Sequence, residues 1–171
     1  MEVMSAHSGM IGWTMVVEHL SEIMAGNDKL AADDSLTDLY EQSETDNLFV
    51  GPMSETLLQI VSGMPDVASE SPEYVLVVSG SIAPGHLAAG MAGGVEIAAA
   101  GARISGLPTL FVADVTGEYG GIGWITGASD LTTLEESTTR VTSDPSFVEL
   151  ADGIGPAYLP HLPMSIFRRI N

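Results

Sequence analysis

Apolar positions recur along this chain with a period near two in some stretches and near four in others, and the switches divide it into elements. Tyr74–Ser79 (YVLVVS) is a continuous apolar run closed by glycine and proline, which predicts a buried strand. Across Gly85–Ser105, Leu87, Met91, Val95, Ala98 and Ala102 fall at helical spacing. The glycines in that helix each weaken it by up to about 1 kcal/mol relative to alanine, so they point to close packing on a sheet. Pro108 opens a second strand, Thr109–Val115 (TLFVADV), Gly117–Gly121 (GEYGG) is a turn, and Ile122–Thr126 is a third strand. Asp130 is placed to cap the next helix, whose buried stripe is Leu131, Leu134, Thr138 and Val141. Asp144-Pro145 breaks it and starts a short helix carrying Phe147, Leu150 and Ala151. A Pro/Gly loop, Gly153–Pro163, leads to a last strand, Ser165–Ile170.

The order is β-α-β-β-α-β, the ferredoxin-like unit of an α+β fold. The upstream part reads as a partial copy, β-β-α-β. Glu2–Ser5 and Met10–Val16 are its strands, Leu20–Ala31 and Ser35–Gln42 its helix pair, and Thr56–Val61 its last strand. Sliding the chain by 111 residues aligns Gly9–Ser54 with Gly120–Ser165 without a gap, and 12 of those 46 positions are identical. Chance gives about 3, so this is a repeated unit. Its most visible part is the pair GMIGW (Gly9, Ile11, Gly12, Trp13) and GGIGW (Gly120, Ile122, Gly123, Trp124), which holds both tryptophans of the chain. On a strand the isoleucine and tryptophan share one face and the glycine between them takes the other, which suits sheet packing.

The predicted organisation is a partial repeat at 1–62, a linker at 63–72 (GMPDVASESP over Gly63–Pro72) and a complete unit at 73–171. The first copy lacks a counterpart of the first strand and helix. In a ferredoxin-like sheet that strand lies between the third and the fourth, so its lack leaves an unpaired gap. Either a segment upstream or a partner chain completes the unit, the latter implying a homo-oligomer.

Charge adds habitat. There are 23 acids against 5 bases, a net charge of −18, and the acids are spread along the chain. Such a surface suits a salty cytosol, where self-repulsion is screened, and marks a halophilic origin. Nucleic acid and anionic membranes are excluded as partners, because nothing here neutralises phosphates. The absence of cysteine excludes disulfides and thiolate chemistry. Met1–Met10 has no basic start and no apolar run reaches spanning length, so the chain reads as cytoplasmic.

The stretch YGGIGWITGASDLTTLEESTTRVTSDPSFVELADGIGPAYLP…SIFRRI resembles the dimeric α+β barrel superfamily, and within it the NIPSNAP-like and stress-responsive barrel domains. The likeness lies in the Gly-rich turn into a Trp strand, the LEES…SDPSF helix pair, the Pro-rich loop and the closing strand with an Arg pair. It covers Glu73–Asn171 and, more weakly, Gly9–Val61. It implies two units packed sheet to sheet as a barrel, each with a cavity for a small organic ligand between sheet and helices. The superfamily hosts monooxygenases, cyclases, dehydratases, haem enzymes and domains without catalysis, so the likeness speaks to fold more than to reaction. It implies a small-molecule-binding or assembly role, the alternative being a cofactor-free enzyme, monooxygenase- or isomerase-like.

Candidate chemistry is sparse. His7, His19, His86 and His161 show no metal-ligating spacing. His86 starts a helix beside the turn Gly80–Gly85 and could serve as a base, with a plain helix-start residue as the alternative. By family analogy His161 or His86 would be the axial ligand of a haem; no other cofactor is expected. Asp114 lies in an otherwise apolar strand, where burial would raise its pKa, unless the strand end faces water. Tyr119 stands near the same turn. Arg168 could hold a substrate carboxylate or simply pair with a surface acid. VVSGSIAPGH resembles an anion-binding turn but lacks a following Gly-Lys-Ser/Thr, and it reads as an ordinary strand-to-helix turn.

Overall fold

The computed structural model describes residues 2–6, 11–46, 54–64 and 71–170. The elements are β1 (Glu2–Ala6), β2 (Ile11–Thr14), α1 (Leu20–Ala31), α2 (Asp34–Thr45), β3 (Leu58–Ser62), β4 (Tyr74–Ser81), α3 (Leu87–Ser105), β5 (Thr109–Asp114), β6 (Gly121–Ala128), α4 (Leu131–Ser143), α5 (Pro145–Ile154) and β7 (Met164–Arg169). The fold is α+β. His7, Gly9 and most of the linker, singled out in the sequence, lie outside the described residues.

The chain divides into two compact units. One, Thr14–Glu55, is the helix pair α1–α2. Glu22 reaches back to the N–H of His19 at 3.2 Å and helps start α1. Asp33 accepts from the Ser35 N–H and hydroxyl at 3.0 and 2.6 Å ahead of the first turn of α2.

The other unit joins Glu2–Trp13 to Thr56–Asn171. Among the described residues its strands form one seven-stranded sheet in the order β2-β1-β7-β4-β6-β5-β3. β4 lies antiparallel between β6 and β7, and β5 is antiparallel to β6. The upstream strands extend this sheet at both ends: β1 is antiparallel to β7, with Met4 opposite Arg169, and β3 is antiparallel to β5, with Ile60 opposite Val112. These two joins are made by backbone hydrogen bonds that no side-chain period encodes.

One face of the sheet's middle carries α3, α4 and α5. Phe111, Ile122, Trp124, Ile82, Ala98 and Tyr158 make the core there. The glycines of α3 permit the contact. A Cβ on Gly94 would overlap the Phe111 ring, and one on Gly90 would come within 2.8 Å of the Ile82 side chain. The close approach also places backbone acceptors over the aromatics. Trp124 Nε1–H donates to Gly94 O at 2.9 Å, and the Tyr158 hydroxyl donates to Gly90 O at 2.7 Å. Trp124 packs on Phe111 at 5.6 Å and edge-on to Tyr158 at 5.5 Å between ring centroids. Although α3 is long and apolar enough by composition to cross a membrane, its glycine side lies on the sheet.

Asp130 caps α4 through the Thr133 N–H at 2.8 Å, and Asp144 caps α5 through the Ser146 N–H at 2.8 Å. Hydrogen bonds to each carboxylate hold both below the usual carboxylate range. One stretch departs from the sequence reading: Gly153–Pro163 is not all loop. α5 runs to Ile154, and Gly155–Ala157 adds a 3-10 turn that delivers Tyr158 to the core.

Candidate functional site

The chain turns sharply between β5 and β6. Gly117 and Gly120 take positive φ of 114° and 79°, which side-chain-bearing residues rarely adopt, and Gly121 N–H closes the turn on Glu118 O at 2.9 Å. This turn, the end of β4 and the start of α3 enclose a cleft of about 310 Å³. Ile82, Leu87 and Met91 form an apolar wall, and Asp114, Glu118 and Tyr119 a polar one.

Asp114 is the last residue of β5, and Gly121 is the first of β6. A Cβ on Gly121 would collide with the Asp114 carboxylate, and one on Gly117 would stand 3.2 Å from its Oδ2. The doubled glycine of GGIGW therefore has two jobs: Gly120 makes the turn, and Gly121 leaves room for a carboxylate. Burial pushes the Asp114 carboxyl up, the Glu118 backbone N–H that it accepts works against that rise, and the Glu118 charge adds to it.

Of the sequence candidates, the structure brings Asp114 and Tyr119 to one cleft. Tyr119 is 90% exposed and sits at the mouth. His86 is the N-cap residue of α3, exposed and outside the cleft, although its neighbour Leu87 lines it. His161 is exposed in the loop before β7. Arg168 lies on β7, paired with Glu73 at 3.1 Å and 5.8 Å over the Tyr74 ring, with no part in the cleft. That ion pair is exposed on both sides and adds little to stability. His19 caps α1 in the other unit.

Sequence reasoning missed Glu118, Ile82 and Met91. The acid within GEYGG was a signal for Glu118. The two apolar residues reach the cleft through the β4–β6 pairing and the seating of α3, which no local pattern displays.

Between sheet and helices stand Phe111, Trp124 and Tyr158, each less than 9% exposed. No group of His, Asp and Glu among the described residues could hold a metal ion. No family model matches the sequence, and no curated protein matches it.

Proposed function

We propose that this chain is a tandem ferredoxin-like protein of the dimeric α+β barrel, NIPSNAP-like kind, acting by binding a small organic molecule and by assembly, without catalysis. Two observations support the architecture. The strands β7-β4-β6-β5 stand in the order fourth-first-third-second of their own copy, the ferredoxin-like arrangement. Shifted by 111 residues, α1 lands inside α4 and the start of α2 lands on Pro145, the first residue of α5. The acid-rich surface fits a halophilic, cytosolic setting: Glu135 and Glu136 are exposed beside the buried Leu134 and Ser137 on α4.

The single observation that carries the functional reading is the contrast between a filled interior and an open corner cleft. Phe111, Trp124 and Tyr158 pack the core between sheet and helices, whereas the cleft joins an apolar wall to two acids, Asp114 and Glu118. Its lining holds two acids and no basic side chain, which favours a small amine with an alkyl body. The measurement is methyl and amide NMR titration with isobutylamine, isobutanol and isobutyrate at high salt. Saturable shifts at Met91, Ile82 and Gly121 with the amine, weakened by Asp114→Asn, support the reading. Shifts absent with all three compounds refute it.

The alternative, a cofactor-free enzyme in the same cleft, is favoured by one feature: a carboxyl raised by burial in a cleft that Tyr119 also lines. Turnover of a bound ligand that Asp114→Asn abolishes would make that the correct reading.

A further inference from the structure

Asp114 and Gly121 are neighbours across the β5–β6 pair. Ala113 stands opposite Ile122, so the antiparallel register sets Asp114 opposite Gly121 at the last step before the turn. The Asp114 carboxyl lies over that glycine. Its Oδ2 and Cγ fill the space of a Gly121 Cβ, with Cγ 2.6 Å from where that atom would stand, and Oδ2 is 3.2 Å from the position of a Gly117 Cβ. The same carboxylate accepts the Glu118 backbone N–H. Two glycines and one N–H thus form a cradle, and a methyl group at 121 would force the carboxyl out of it.

The two glycines are there for different reasons. Gly117 has a positive φ, which favours glycine whatever its neighbours are. Gly121 does not, so its backbone has no need of glycine, and the carboxylate against it does. The sequence contains a comparison. At the shift of 111 residues, Val3 takes the place of Asp114, Ala6 that of Gly117 and Met10 that of Gly121. The acid and both glycines of its cradle change together, while Ile11, Gly12 and Trp13 match Ile122, Gly123 and Trp124. A valine in an apolar strand costs no desolvation of charge, whereas a half-buried carboxylate does. A local rule broken in one copy and kept in the other is the mark of a site.

We propose that Gly121 is a positioning residue of the cleft. By leaving its Cβ space to the Asp114 carboxyl, it fixes a negative charge in the wall that Ile82 and Met91 also line, and so sets a preference for an alkylammonium over a neutral molecule of the same shape. The inference rests on the binding role proposed for this cleft.

The test compares isobutylammonium with isobutanol, which share one alkyl body, on the full chain at pH 7. About 1 M KCl screens the exposed charges and a partly buried carboxylate much less. Affinities come from amide NMR titration. Hydrogen bonds to a charged group outweigh neutral ones, so the wild type should prefer the amine about tenfold. Gly121→Ala keeps both acids and the apolar wall, and the amine should lose about tenfold more affinity than the alcohol, which brings the ratio near one. A glycine needed only for the stability of the turn would leave that ratio where it was. Should Gly121→Ala not fold, Asp114→Glu replaces it: the charge stays, the extra methylene no longer fits between the glycines, and the same fall is expected. A tenfold preference that survives in the folded variant overturns this inference and leaves the proposed function standing. A wild type that binds both compounds equally also overturns it, with the binding role intact. No binding of either compound to the wild type overturns the proposed function and this inference together.

Discussion

The middle of the sheet and its two ends are made from similar sequence and live in different surroundings. At the centre, Phe111 is fully buried and Val112 is 3% exposed, with helices over one face and strands on both sides. At the β3 end, Leu58 is nearly half exposed although it is as apolar as its neighbours in the core. Apolar composition marks a residue as suited to burial, and the neighbours that bury it come from topology. The centre therefore carries more of the stability than the β3 end.

The largest expected difference follows directly. Phe111→Ala should cost about 3–5 kcal/mol, because it removes an aromatic ring touching Trp124 and leaves a void under α3. Leu58→Ala should cost under about 1 kcal/mol, since half of that side chain already meets water. Urea unfolding followed by tryptophan fluorescence measures both. Equal losses would mean that the end of the sheet is covered in solution.

Tyr158→Phe probes the polar side of the same core. Removing the hydroxyl that donates to Gly90 O leaves that carbonyl buried and should cost about 1–2 kcal/mol. The phenol is pushed up to about 12 by burial and, secondarily, by the Glu96 charge. Because its folded value lies above the usual 10, its contribution is complete below pH 10 and lost as pH rises through about 12. Ultraviolet titration should show one phenol ionising last, and Tyr158→Phe should delete that step.

Much of the central region was legible from residues alone. The apolar run Tyr74–Ser79, the helical spacing of Leu87, Met91 and Val95, and the caps Asp130 and Asp144 are local signals, each acting within a few residues. The lateral order of strands was less so. Periodicity assigns a residue to a face, but β1 joining β7 and β3 joining β5 depends on backbone hydrogen bonds between segments far apart in the chain. The cleft was half legible for the same reason. Asp114 drew notice as a carboxylate in an apolar strand, whereas the Ile82 and Met91 that complete its wall come from other elements.

Asp114 supplies a smaller effect with a definite sign. Its carboxyl is raised by burial, so the stability it contributes is complete below the ordinary value of 3.8 and lost as pH rises through the higher folded value. Asp114→Asn has no such loss. The stability of the wild type relative to the variant should therefore fall as pH climbs from 3.8 upward, and a constant difference would show that water reaches the carboxyl freely.

The smallest effect separates the middle of the sheet from its β2 end most cleanly. Gly12 and Gly123 are the same residue of the same pattern, each between an isoleucine and a tryptophan. An alanine methyl at 123 would meet Val112 Cγ2 at 3.2 Å and Val78 O at 3.4 Å, so the sheet must give by a few tenths of an ångström, at about 1 kcal/mol. Among the described residues an alanine at 12 meets nothing within 4 Å, and it loses glycine's excess unfolded-state freedom, so it should be neutral or stabilising by about 0.5 kcal/mol. The sign of the difference is the result that matters. If Gly12→Ala destabilises the chain as much as Gly123→Ala does, the glycine of β2 is packed as tightly in solution as that of β6, and the contrast between the middle of the sheet and its end fails there.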